Sequence, residues 1–172
     1  NAFPQVADAQ PVETPVERAM ALARWRKFPA YLRQEQANLE AGLAAGYSAP
    51  ARVVARVIAQ LDAVLDAPPG QSPYLSFGRN VENDPAFAMA MKSLETDDIA
   101  PALESFRNFL RDVYLPQARE QLSISAIPQG AACYEAMLRS YHTADIGGKA
   151  ADGRGRAAGA AKRRDRRERG QA

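Results

Sequence analysis

The sequence predicts an all-α protein: an antiparallel helical bundle or array of about six helices, with a disordered basic C-terminal tail. Three observations carry this. Alanine is abundant and β-branched residues are few outside 53–58, which favours helix over strand. Every long segment repeats its apolar residues at three- and four-residue steps. Three of the connections are short, which makes sequential helices antiparallel neighbours. With 172 residues, 47% apolar and 24% charged, the chain is long enough and apolar enough for one domain with a real core. No repeat of solenoid length is present, and no apolar run approaches the ~20 residues of a membrane span. The start, Asn-Ala-Phe-Pro-Gln-Val, has neither a basic opening nor a long apolar core, so it does not read as a secretory signal, and the compartment stays open.

Residues 1–15 hold three prolines and no apolar period, and are expected to form a loose arm. The helical domain is expected over 16–144. Thr14-Pro15 opens a first helix through Lys27, with Val16, Met20 or Ala23, and Trp25 available for burial. Pro29 starts a second, with Leu32, Leu39 and Leu43 inward, and Gly46 supplies its left-handed stop. Ser48 is expected to cap a third helix with Pro50 in its first turn. Val53, Val54, Val57, Ile58, Leu61, Val64 and Leu65 form its stripe. Arg52 and Arg56 near its positive end, and Asp62 and Asp66 near its negative end, oppose the helix dipole, so partners on neighbouring helices are expected.

Pro68-Pro69-Gly70 breaks the chain, and the long loop to Asp84 is expected to pack through Tyr74, Leu75 and Phe77. Asp84-Pro85 begins a short helix to about Leu94, with Phe87, Met89 or Met91, and Leu94 inward. Thr96-Asp97-Asp98 reads as the next cap. Ile99, Leu103, Phe106, Leu110 and Val113 then step four, three, four, three along a groove, until Pro116 kinks or ends the helix.

From Ser123 the chain reads as an extended lead-in to Ile127, then Pro128 in the first turn of a helix beginning near Gln129. Tyr134, Met137, Leu138 and Tyr141 give that helix one buried face, and Cys133 is expected as a small buried residue beside them. Gly130 in the opening turn costs roughly 1 kcal/mol against alanine, which suits a place where another backbone or a ligand comes close.

The run Ser-Ala-Ile-Pro-Gln-Gly-Ala-Ala-Cys-Tyr, with Arg-Ser-Tyr-His-Thr after it, resembles the bacterial domain of unknown function (DUF) 885 family. Upstream blocks agree in order and spacing: Ala23-Arg24-Trp25-Arg26, Asn38-Leu39-Glu40-Ala41-Gly42, Gly46-Tyr47-Ser48-Ala49-Pro50 and Phe109-Leu110-Arg111-Asp112-Val113-Tyr114-Leu115-Pro116. The resemblance covers roughly Ala21 to Thr143. It implies an α-helical, zinc-peptidase-like protein whose His-Glu-x-x-His helix lies downstream, so that this chain is an internal or truncated segment. Zinc is then expected in the full-length family and not in this chain. Helix faces that meet the missing part would be exposed as an apolar patch.

Zinc needs three or four His, Cys or carboxylate ligands. The chain offers His142 and Cys133, no second histidine and no His-Glu-x-x-His, so no metal or catalytic residue is assigned within it. Glu95, Asp97 and Asp98 are the nearest carboxylate cluster, and they read as helix-terminal acids. Substrate contact is expected at Gln129, Gly130, Tyr134, Tyr141 and His142: the amides of Gln129, Gly130 and Ala131 would be free donors at a helix start. His142 has an alternative role as a polar cap on its helix.

From Lys149 onward nine Lys/Arg face three acids, a net +6, while the rest of the chain carries −4. From 147 there is no Leu, Ile, Val or aromatic residue, so 145–172 cannot repay its ordering entropy and is expected to be disordered, with at most a frayed helix over 157–169. A frame change in a GC-rich gene and a cationic arm both fit that composition. The expected function is therefore a non-catalytic helical segment of a peptidase-like protein, walling a peptide-binding cleft in the intact parent. The alternative is a non-enzymatic interaction module whose 149–169 tail binds nucleic acid or acidic partners.

Overall fold

The computed structural model describes residues 3–79, 81 and 83–141. The fold is all-α; among the described residues there is no strand, only an isolated bridge between Pro50 and Arg119. The chain divides into two compact units, Asn1–Glu120 and Gln121–Ala172. No described helix is long and apolar enough to cross a membrane.

The first unit opens with α1 (Phe3–Asp8), so the expected loose arm is a short helix instead. Its anchor is Phe3, whose ring meets Phe28 at 5.0 Å and Tyr31 at 5.1 Å between centroids. Ala7 is buried, and Asp8 accepts a hydrogen bond from the Ser76 hydroxyl. Two aromatic and small side chains one turn apart were enough to dock a segment whose prolines suggested none.

Thr14 closes a capping box ahead of α2 (Pro15–Trp25): its hydroxyl accepts from the Glu17 amide at 3.2 Å, and Glu17 accepts from the Thr14 amide at 2.8 Å. The face that turns inward is Ala21 and Trp25; Val16, Met20 and Ala23 are exposed. Trp25 decides this, because its ring packs on Phe77 at 5.5 Å and on Phe28 at 6.1 Å. The residue four back from a fixed Trp must then share its side of the helix. Phe28 and Leu32 continue that line into α3 (Phe28–Ala44), where Leu39 and Leu43 are half-buried and Gly46 turns the chain at φ +80°.

Helix α4 (Ala51–Leu65) buries Val54, Ile58 and Leu61, while Val53 stays largely exposed. Pro50, not Ser48, is its cap, and no side chain serves the first amides. The Ala51 N–H instead donates to the Arg119 carbonyl at 2.7 Å, a distant backbone group doing what a serine hydroxyl was expected to do. The misplaced acid Asp62 has its neighbour: Arg107 lies 2.8 Å away.

The connection after α4 is packed. Ser72, Tyr74, Leu75 and Phe77 are buried in or beside a 3₁₀ segment, Pro73–Gly78, and the Gly70 amide donates to Glu95 at 2.9 Å. Asp84 caps α5 (Pro85–Ser93) through the Phe87 amide and pairs with Arg18 at 2.7 Å. The Phe87 N–H first, then the guanidinium, hold its carboxyl below the ordinary aspartate range.

Beyond Ser93 the helix does not stop. Leu94, Ala100, Leu110 and Leu115 all keep right-handed helical angles, so α5, a wide turn (Leu94–Ile99), α6 (Ala100–Phe109), a second wide turn (Leu110–Tyr114) and a final 3₁₀ turn (Leu115–Gln117) run on continuously. The Thr96-Asp97-Asp98 cap is therefore an interior stretch. In each wide turn the closing amide reaches back five residues: Ala100 to Glu95, Leu115 to Leu110. Each donor directly precedes a proline, Pro101 or Pro116. A proline has no N–H, and its ring strikes the carbonyl four residues back; widening the preceding turn relieves the clash without breaking the helix. Pro116 ends it one turn later, where Ala118 is extended.

The extra residue also resets which side chains face inward. Leu94 and Ile99, five apart, are 0% and 1% exposed. Phe109 and Tyr114, again five apart, are both buried, which leaves the expected Val113 outside. Tyr114 uses its place to accept the Ala49 N–H on its hydroxyl at 2.9 Å.

Leu94→Ala should cost about 2–5 kcal/mol in urea unfolding, since it empties a fully buried site. Met89→Ala, in the preceding turn but exposed, should change stability by less than about 0.5 kcal/mol.

Candidate functional site

The second unit carries the residues that the sequence marks. Ser123 caps one 3₁₀ turn, Ile124–Ala126, its hydroxyl accepting from the Ser125 amide at 3.2 Å, so the expected extended lead-in is coiled. The Gly130 amide then donates to the Ile127 carbonyl at 2.9 Å. Pro128 holds the second position of that turn and Gln129 the third, at φ +56°. This is the arrangement of a type II turn, with glutamine where glycine is usual. Helix α7 (Gly130–Tyr141) follows, so Pro128 lies ahead of its first turn and not within it.

Gly130 is buried, and a Cβ there would lie 1.8 Å from the Ile124 carbonyl oxygen and 2.9 Å from Ile127 Cγ1. Of the two reasons expected for this glycine, close approach of backbone is the one the geometry supplies. Its amide is occupied by Ile127 and is not a free donor. Tyr134 and Tyr141 lie on the exposed part of α7, with Tyr141 81% accessible, and Met137 is exposed between them. Of the apolar face expected to be buried, Tyr134, Met137 and Tyr141 are on the surface and only Leu138 is half-buried; Cys133 is exposed as well. One 3₁₀ turn can cover only the beginning of a three-turn helix, and within this unit it covers Gly130. Gln129, Gly130, Tyr134 and Tyr141 thus lie along one turn and helix, whereas His142 and the 145–172 tail fall outside the described residues.

A second feature, in the first unit, has no counterpart in the sequence reading. A cleft of about 460 Å³ runs between the α2–α3 corner and the first wide turn. Arg26 and Arg33 line one side and Asp97 and Asp98 the other, over a floor that includes Leu32 and Phe106. Asp97 accepts from Ser93 Oγ at 2.6 Å and Thr96 Oγ1 at 2.8 Å, and these two hydroxyls, in that order, lower its pKa. Glu95 is occupied by the Gly70 amide. The acids expected at a helix start sit instead inside a continuing helix, each with local donors or facing the cleft. Pro101 was the available signal, since a proline inside an apolar period marks a distorted turn.

Among the described residues no three His, Cys, Asp or Glu side chains come together as a metal would need. The described donor set does not fit a zinc site, and no step is assigned to one. The family model for bacterial proteins of unknown function, DUF885, matches residues 1–168. The chain belongs to this family. The match begins ahead of Ala21 and runs past Thr143 into the basic segment, farther in both directions than the motif blocks alone indicate. No curated protein and no solved structure matches the chain.

In this DUF885 chain the turn before α7 is tuned by two adjacent residues with opposite tolerances. Gly130→Ala should destabilise the start of α7 by about 1–3 kcal/mol. Gln129→Gly, which removes left-handed strain, should stabilise it by about 0.5–1 kcal/mol. Amide hydrogen exchange of α7 reads both.

Proposed function

We propose that this chain is the non-catalytic helical segment of a zinc-peptidase-like DUF885 protein, and that α7 forms part of the wall of its peptide-binding cleft. The observation that carries the reading is the uncovered face of α7: Tyr134, Met137 and Tyr141 at steps of three and four, exposed on a helix of the sort that ordinarily buries such a stripe. Tyrosine suits peptide contact, because its ring packs on side chains while its hydroxyl meets a backbone amide or carbonyl. The tight turn at Gly130 fixes where the helix begins and so holds the two rings in place. Water activation and amide cleavage belong, in this reading, to donors that the chain does not contain.

The full 172-residue chain is titrated with short unstructured peptides while tyrosine ring and α7 amide signals are followed by NMR. The expected result is saturable shifts at Tyr134, Met137 and Tyr141, weakened about tenfold in Tyr134→Ala/Tyr141→Ala. Peptide should remain uncleaved with or without added zinc. Shifts confined to other elements, or chelator-sensitive hydrolysis by the purified chain, would overturn the proposal.

A further inference from the structure

The first unit holds a larger cavity, about 560 Å³, bounded by α1, α3, α4, α6 and the Pro73–Gly78 segment. Tyr31 and Gln60 among its lining residues are exposed, so it is a groove open to solvent that a small molecule can enter. It falls within the range of small-molecule sites.

Its lining is chemically one-sided. Phe3, Phe28, Tyr31, Tyr74 and Phe106 border it, and the first four form a ring cluster with centroids 5.0 Å apart for Phe3–Phe28, 5.1 Å for Phe3–Tyr31 and 5.5 Å for Phe28–Tyr74. Glu35 is the carboxylate among the lining residues, and no Lys, Arg or His lines the cavity. Tyr31 lies one helical turn before Glu35 on α3, near enough for the carboxylate's charge to act on its hydroxyl. Among the described residues Glu35 has no ion-pair partner.

The aromatic and aliphatic lining offers an apolar body its contacts, and the carboxylate adds a full negative charge at one point. A carboxylate or phosphate ligand would meet repulsion with no cation to offset its desolvation. A guest with an apolar body and a positive head meets complementary chemistry throughout. We infer that this cavity is a binding site for an apolar organic ammonium ion, an aryl- or alkylamine whose cationic head pairs with Glu35 while its body lies against the rings of Phe3, Phe28, Tyr31 and Tyr74. The site is independent of the peptide-binding reading, which concerns the other unit. Burial first, and then the Glu35 carboxylate, push the pKa of Tyr31 above the ordinary tyrosine value.

Three ligands of similar size test it against the full chain by calorimetry: phenethylamine, the neutral phenethyl alcohol and the slightly longer anionic hydrocinnamate. Phenethylamine should bind saturably and at least about tenfold more tightly than the alcohol, with hydrocinnamate weaker still. Glu35→Gln should remove most of the preference for the amine while leaving the fold intact, since the side chain is only half-buried. Methyl NMR places the ligand independently: Val57, Leu61 and Val64 line the cavity and should shift. Equal binding of all three ligands, an unchanged preference in Glu35→Gln, shifts elsewhere, or no saturation by about 10 mM amine would each overturn the inference.

Discussion

Two prolines inside one long helix set the terms for the first unit. Pro101 and Pro116 cannot donate to the turn behind them, and a regular α-turn would drive each ring into a carbonyl. The helix keeps going only because the turn before each proline is widened, with Ala100 and Leu115 bonded five residues back. The consequences spread outward. The first wide turn brings Leu94 and Ile99 into the core together and puts Asp97 and Asp98 on the charged cleft. The second brings Tyr114 inward, where it holds Ala49 just ahead of α4. When the helix ends, Arg119 returns to bond Ala49 and Ala51, so the far end of one helix fixes the beginning of another.

The N-terminal part of that unit is organised by rings. Phe3 on α1, Trp25 on α2, Phe28 and Tyr31 on α3, and Tyr74 and Phe77 in the 3₁₀ segment lie edge-on or stacked against one another. This network makes a helix of six otherwise unpromising residues at the N-terminal side and leaves beside it a cavity whose polar character comes chiefly from α3. The second unit works differently. Its geometry is concentrated in a turn and a glycine, and most of its helix is left uncovered.

What the sequence disclosed, and what it withheld, follows from the range of the interactions. Local signals were legible: the Thr14 cap, the proline-led starts of α2, α3 and α5, Gly46 at positive φ, and the α4 stripe. So was the all-α fold, because helical period is a local property. The Ser48 cap failed because its substitute is a carbonyl from Arg119, which no window around Ser48 contains. Val113 was placed inward because the count assumed a regular helix, and the wide turn at Leu110–Tyr114 moves that role to Tyr114. The N-terminal helix was missed because Phe3 is held by rings far along the chain. At the site, the close approach that Gly130 leaves room for is made by backbone, one of the two partners its sequence position allows, and the Gly130 amide expected to meet a ligand is engaged by Ile127. The Tyr134–Tyr141 face was correctly seen as apolar, yet periodicity cannot say what, if anything, covers it.

The wide turns also bear on how this helix can be compared with others. Each adds one residue to its turn, and one residue is worth about 100° of rotation. On an undistorted helix the spacing between Phe87 and Tyr114 would set them on opposite sides, although both are buried. Two insertions of about 100° reconcile them. A related chain lacking Pro101 or Pro116 and carrying straight turns should therefore align to this one only with single-residue gaps in mid-helix, and a helical wheel drawn through the whole segment would place half of the core in solvent.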